Sequence, residues 1–152
     1  MPDTATEPVK INVTWDDLDR LVEELAERLA AAPEPDVVLA ISRGGLVPAG
    51  MLGYRMGWRD MLLAAVVAYD DETGFRGRAD FLQFPSDDQI AGKTVLVIDE
   101  VWDSGTTIAA VSKGIHDAGG TPVTAVLHYK PRKSRVDIVP DHYIVETDDW
   151  IL

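Results

Sequence analysis

The run Thr94-Val-Leu-Val-Ile-Asp-Glu-Val-Trp-Asp-Ser-Gly-Thr-Thr107 constrains the fold more than any other stretch of this chain. Its first part, Thr94 to Ile98, is strongly apolar and β-branched, as a buried strand is. It leads at once into two carboxylates and a small, hydroxyl-rich turn. Beyond the turn, Ile108, Val111, Ile115 and Ala118 recur at helical spacing until Gly119-Gly120 closes the helix. A strand that turns directly into a helix is part of a β-α-β pattern and needs parallel neighbours.

The rest of the chain supplies them. Thr14 followed by Asp17 reads as a helix N-cap, and Trp15, Leu18, Val22, Leu25 and Leu29 form the stripe of a first helix that stops before Pro33 and Pro35. Val37 to Ile41 is a short strand ending at Ser42-Arg-Gly-Gly45, and Leu46 to Met56 is a helix closed by Gly57. A buried strand is expected at Leu62 to Ala68, and further strands at Pro122 to His128 and His142 to Glu146. The polar segment from Tyr69 to Lys93 is long for a plain connection. It reads as a functional loop or cover, with an edge hairpin around Phe81 to Phe84. The fold class expected is α/β, a mainly parallel twisted sheet with helices on both faces, in one domain spanning residues 1–152 with residues 1–10 as a flexible N-terminus. In such sheets ligands gather at the carboxyl ends of the strands, which points to the loops after Ile41 and Ile98.

Composition narrows the partners. The formal charge of −12 repels polyanions, so no nucleic acid is expected, and a small anionic substrate would need a local basic site. Lys130, Arg132, Lys133 and Arg135 crowd into one such run, and Arg43, Arg76 and Arg78 lie in other predicted loops, although a solvated loop is the bland reading of each. Without cysteine there is no disulfide, thiolate nucleophile or cysteine zinc site, and His116, His128 and His142 are too scattered to pair on a metal. Met61 to Ala68, the longest apolar stretch, is far short of the ~20 residues of a membrane helix, and no signal-peptide pattern opens the chain. No membrane association is expected, and the expected location is the cytoplasm.

The turn after Ile98 carries the chemistry. Backbone N–H groups of Ser104, Gly105, Thr106 and Thr107 at a helix N-terminus can hold a dianionic phosphate, with the three hydroxyls as further donors. Asp99 and Glu100 can accept hydrogen bonds from two vicinal hydroxyls or help hold a hard cation such as Mg²⁺. A phosphate cradle beside a diol acceptor describes a ribose 5-phosphate site. The plain alternative is that Ser104 merely caps a helix and the carboxylates face water. A nucleotide-hydrolase strand of the apolar-apolar-Asp-Glu type is excluded, because Gly92-Lys93-Thr94 has Asp87 where the first loop glycine belongs and leads into a strand.

This segment resembles the phosphoribosyl pyrophosphate (PRPP) motif of the type I phosphoribosyltransferases, nearest to the bacterial xanthine-guanine and hypoxanthine enzymes. Val13-Thr-Trp-Asp16, Ala40-Ile-Ser-Arg-Gly-Gly-Leu-Val-Pro48, Tyr129-Lys-Pro131 and Asp149-Trp-Ile151 resemble the same family in the same order, so the likeness runs from residue 11 onward. It implies a hood formed by the terminal segments over the sheet, and an Mg²⁺-dependent transfer of ribose 5-phosphate from PRPP to a 6-oxopurine. Ser42, Arg43 and Gly44 then correspond to the pyrophosphate loop, whose Ser42–Arg43 peptide is expected cis in at least one state. Asp103 corresponds to the acceptor of the purine N7 proton, Lys130 to the donor to O6, Trp150 to the stacking aromatic, and Ile151 to backbone contacts with the ring edge. Arg78 corresponds to a loop arginine reaching PRPP, with a solvated arginine as the equal alternative, and Trp150 by itself could be a core residue. A homodimer or homotetramer is implied. The family continues beyond its Trp-Ile pair with an acidic, aromatic tail, while this sequence stops at Leu152, so the choice among guanine, xanthine and hypoxanthine stays open. Two rivals remain: a PRPP-sensing regulator and a transferase for a pyrimidine.

Overall fold

A computed structural model of the chain describes residues 9–66 and 81–152. Its centre is a six-stranded sheet in the order β4-β3-β2-β5-β6-β7, parallel throughout except for β4. The strands are β2 (Val37–Ser42), β3 (Met61–Val66), β4 (Phe81–Gln83), β5 (Thr94–Trp102), β6 (Thr121–Tyr129) and β7 (His142–Glu146). Alternation along β2 and β5 sends side chains to two cores. Leu39, Ile41, Val95 and Val97 pack with Ile108, Val111 and Ile115 of helix α4 (Thr106–Asp117) on one face. Val38, Ala40, Leu96 and Ile98 pack on the other with Val22, Leu25 and Leu29 of α1 (Trp15–Ala30) and Ala49 and Leu52 of α2 (Leu46–Met56). This is the α/β architecture the alternation predicts.

Local signals account for the helix ends. Thr14 and Asp17 form a reciprocal capping box, each side chain accepting from the other's backbone N–H. Gly57, at φ 73°, closes α2 in the left-handed region that favours glycine. Trp15, expected in the buried stripe of α1, instead faces solvent, because it is the first helical residue and lies before the stripe reaches the sheet.

Several boundaries differ from expectation. The strand expected to stop at Ile98 continues through Asp99 and Glu100 to Trp102, because pairing with β6 persists at Val101–His128 and Trp102–Tyr129. The strand expected as buried at Leu62 to Ala68 runs from Met61 to Val66 and is only half-buried; residues 67 and 68 lie outside the described residues. Its outer neighbour β4 is short and antiparallel, as the edge hairpin predicts. The segment read as one polar loop contains a short helix, α3 (Asp87–Ile90), anchored by the fully buried Ile90.

The hood is a two-stranded parallel ribbon of β1 (Lys10–Ile11) and β8 (Trp150–Ile151). Trp150 N–H donates to Val9 C=O at 2.9 Å and Leu152 N–H to Ile11 C=O at 2.8 Å. Val9 and Lys10 are therefore tied into the fold, which corrects the expectation of a free N-terminus through residue 10. No helix among the described residues is long and apolar enough to cross a membrane.

Candidate active site

Three loops meet at the carboxyl edge of the sheet. The first, after β2, holds Ser42, Arg43, Gly44 and Gly45, and its Ser42–Arg43 peptide is cis. Gly45 is sterically required, whereas the obstacle at Gly44 is an exposed, flexible side chain. A side chain at Gly45 would strike the backbone carbonyls of Ile41 and Ile98, and one at Gly44 would strike the Glu100 carboxylate. The loop thus lies against the end of β5 with its Arg43 side chain exposed.

The second loop, Asp103 to Gly105, links β5 to α4. Ser104 does not cap the helix; the cap is Gly105, at φ 80°. The helical ladder starts with Ala109 N–H donating to Gly105 C=O, so the amides of the first turn have no partner within the helix. The Ser104 and Thr106 hydroxyls are 2.9 Å apart and Thr106 N–H reaches Ser104 Oγ at 3.3 Å. A small hollow here is lined by Asp99, Asp103, Ser104, Gly105 and Thr107. Amides, hydroxyls and a helix N-terminus that converge on a hollow can receive a phosphate.

Alternation along the strand separates the acid pair. Asp99 lines the hollow beneath the turn, whereas Glu100 rests on Gly44 and borders a second hollow with Val13, Thr14, His128 and Ile151. Burial pushes the Asp99 carboxyl up to about 7; the Glu100 N–H, donating at 2.8 Å, pulls it down, and the adjacent Glu100 charge pushes it up. No group of three or more His, Cys, Asp or Glu side chains among the described residues could hold a metal. Two separated carboxylates still fit Mg²⁺ that arrives with a diphosphate, because this ion keeps waters and takes only one or two carboxylates beside substrate oxygens.

The third element begins at the end of β6. Lys130 is almost wholly buried, its N–H donating to Trp102 C=O at 2.9 Å. Its Nζ lies 3.6 Å from Asp103 Oδ2 and 5.5 Å from the centre of the Trp150 ring. A buried ammonium needs such compensation from a carboxylate and an aromatic face. Trp150 is half-exposed, so it is no core residue. Asp103, Lys130 and Trp150 come from three separate segments and meet around the Lys130 ammonium.

Of the residues singled out in the sequence, Ser42, Arg43, Gly44, Asp99, Glu100, Asp103, Ser104, Gly105, Thr106, Thr107, Lys130, Trp150 and Ile151 lie in these loops, in the ends of the strands and helix that flank them, or in the ribbon. Arg78 and Arg76 lie outside the described residues. Sequence reasoning missed Trp102, whose buried indole backs the turn, and Ser134, to which its Nε1–H donates at 3.2 Å. The available signal was an aromatic inside the turn motif. Another hollow, lined by Gly50, Tyr54, Trp58 and Arg59, lies at the far end of α2, away from these loops.

Fold and site define an α/β protein with a turn that can receive a phosphate and, beside it, a lysine set between a carboxylate and an indole. The phosphoribosyl transferase domain family matches residues 14–152, and the chain belongs to that family. Xanthine-guanine phosphoribosyltransferase of Gluconobacter oxydans (strain 621H) is 34% identical over 146 residues, covering 92% of this chain and 80% of that one. The crystal structure of purine phosphoribosyltransferase from Pyrococcus horikoshii superposes with a TM-score of 0.78 at 31% identity, covering 94% of this chain and 91% of that one. A Neisseria gonorrhoeae protein crystallised with bound ppGpp gives a TM-score of 0.81 at 29% identity over 96% and 88% of the two chains.

Proposed function

We propose that this protein is a purine-salvage phosphoribosyltransferase, moving ribose 5-phosphate from PRPP to N9 of a 6-oxopurine with release of pyrophosphate. The observation that carries the reading is the grouping of Asp103, Lys130 and Trp150 beside the Ser104–Thr107 turn. The similarity to a xanthine-guanine and a purine phosphoribosyltransferase supports the same substrate class.

In this reading the turn amides and hydroxyls bind the 5-phosphate, Asp99 and Glu100 accept from the ribose hydroxyls, and Arg43 with the Gly44 backbone receives the pyrophosphate. As the bond from C1′ to pyrophosphate breaks, positive charge grows on the ribose ring and negative charge on the leaving group. Catalysis then rests on fixed charges and positioning. Lys130 donates to O6, Trp150 stacks on the ring with Ile151 at its edge, and Asp103 accepts the N7 proton so that N9 attacks C1′. Mg²⁺ bound with the diphosphate would neutralise charge on the leaving group, held from the protein side by Asp99 or Glu100. An arginine from the 69–93 segment, Arg78, completes the PRPP contacts in this proposal. The proposal also includes a cytoplasmic location and assembly into a homodimer or homotetramer, the latter supported by the exposed Leu46, Val47 and Tyr54 of α2.

The test is pyrophosphate release on incubation with PRPP, Mg²⁺ and each purine in turn. Release with hypoxanthine, xanthine or guanine is expected. PRPP binding without release from any base would instead mark a regulator.

A further inference from the structure

Trp102 is 1% exposed and sits within the turn motif, between the acid pair and Asp103. A buried indole needs a partner for its N–H, and here the partner comes from the basic loop after Lys130: Nε1–H donates to Ser134 Oγ at 3.2 Å. The same indole edge occupies the space beside Gly105, where any side chain would collide with Nε1 and with Val136. Two backbone bonds frame this contact. Lys130 N–H donates to Trp102 C=O at 2.9 Å, and Arg135 N–H donates to Ser104 C=O at 2.8 Å. The loop is closed by Lys133 and Ser134 N–H groups donating to Lys130 C=O, both at 3.2 Å. Tyr129 meets the indole edge-on at 5.9 Å. The turn and the segment bearing Lys130 are therefore joined at three points around one side chain.

Packing alone would be met by any large apolar residue in this pocket. The indole also ties the turn to the basic loop through a directed hydrogen bond, which an apolar side chain could not. We propose that Trp102 is a positioning residue: held by Ser134 and set against Gly105, it fixes the Ser104–Thr107 turn relative to Lys130, so that the PRPP and purine subsites keep their spacing. This rests on the functional reading above. Its indole edge is directed at Ser134 and Gly105, so it acts through the turn.

The experiment compares PRPP KM, purine KM and kcat in wild type, Trp102→Phe, Ser134→Ala, Ser134→Thr and the Trp102→Phe/Ser134→Ala double variant. A single neutral hydrogen bond supports an effect of about two- to tenfold. Both Trp102→Phe and Ser134→Ala should raise PRPP KM by that factor. Ser134→Thr, which keeps the hydroxyl, should stay within about twofold of wild type by the same measure. The double variant should be no worse than the more affected single variant, because one bond is broken in each. If Trp102→Phe fails to fold, Ser134→Ala against Ser134→Thr decides alone. Unchanged PRPP KM in Ser134→Ala, or equal loss in Ser134→Ala and Ser134→Thr, overturns the brace, as does additive loss in the double variant. A lowered Tm with unchanged KM values does so too, since that is what a purely structural contact would give. Wild-type protein that neither binds PRPP nor releases pyrophosphate overturns the functional reading and the brace together, a result distinct from active wild type with indifferent variants.

Discussion

Asp103 and Lys130 share one charge-paired contact but carry different tasks in the proposed reaction, and substitution separates them. Asp103→Asn removes a proton acceptor while leaving the turn backbone in place. Its kcat should fall by ~10²–10⁴-fold with PRPP affinity nearly unchanged, measured by steady-state kinetics beside a PRPP titration. An equally active variant removes Asp103 from the chemistry. Lys130 has donors and no acceptor, so its buried Nζ suits a carbonyl at C6 and opposes the amino group of adenine. A bond to a charged group is worth ~1.5–3 kcal/mol, so kcat/KM for hypoxanthine or xanthine should exceed that for adenine by about 10- to 150-fold or more. Lys130→Met should shrink the gap by harming the oxopurine. Equal use of adenine by the wild type would end the 6-oxopurine assignment.

Elements set where these side chains stand. β5 outlasts its apolar run because cross-strand pairing with β6 continues past the acids, and this extension carries Trp102 beneath the turn. Gly105 is the narrowest point of that arrangement, with φ of 80° and Trp102 and Val136 filling the space a side chain would need. For Gly105→Ala the left-handed backbone alone costs ~1–2 kcal/mol, so PRPP KM should rise about five- to thirtyfold. A variant with unchanged PRPP KM would show that the turn does not hold the phosphate.

On the scale of the whole molecule, the two ends of the chain build the hood together. Deleting residues 1–11 removes the β1 partner of Trp150 and Ile151. Purine KM should rise several-fold more than PRPP KM, since the phosphate turn keeps its own supports; equal changes would mean the ribbon does not shape the base subsite. Acid stability follows from a second feature. His128 is buried, and its pKa lies below the usual 6.5, first through burial and then through the Lys130 charge. It stays neutral in the folded state while the unfolded chain takes up a proton, so its contribution is fully present above pH 6.5 and shrinks as the pH falls below it. Asp99, its pKa pushed up to about 7, gains stability as the pH falls through the same range, so the His128 contribution is read as a difference: from pH 7.5 to 5.5 the Tm of wild type should fall relative to that of His128→Gln. Parallel Tm profiles for the two proteins would show that His128 contributes nothing to the pH dependence.

What the sequence determined by itself is local or repeated: the capping box at Thr14, α2 from Leu46 to Gly57, the alternation of strands and helices, and the strand–turn–helix motif at Thr94–Thr107. These are set by steric periods and turn chemistry within a few residues, and the resemblance named most of the site from short motifs. Tertiary structure decided the rest. That Asp99 faces the turn while Glu100 faces Gly44 depends on the register of β5, and that Lys130 sits between Asp103 and Trp150 depends on three segments meeting. Neither the β1–β8 ribbon nor the Trp102–Ser134 bond has a sequence-local signal, because each joins residues that are distant along the chain and become neighbours only when the sheet and its loops pack.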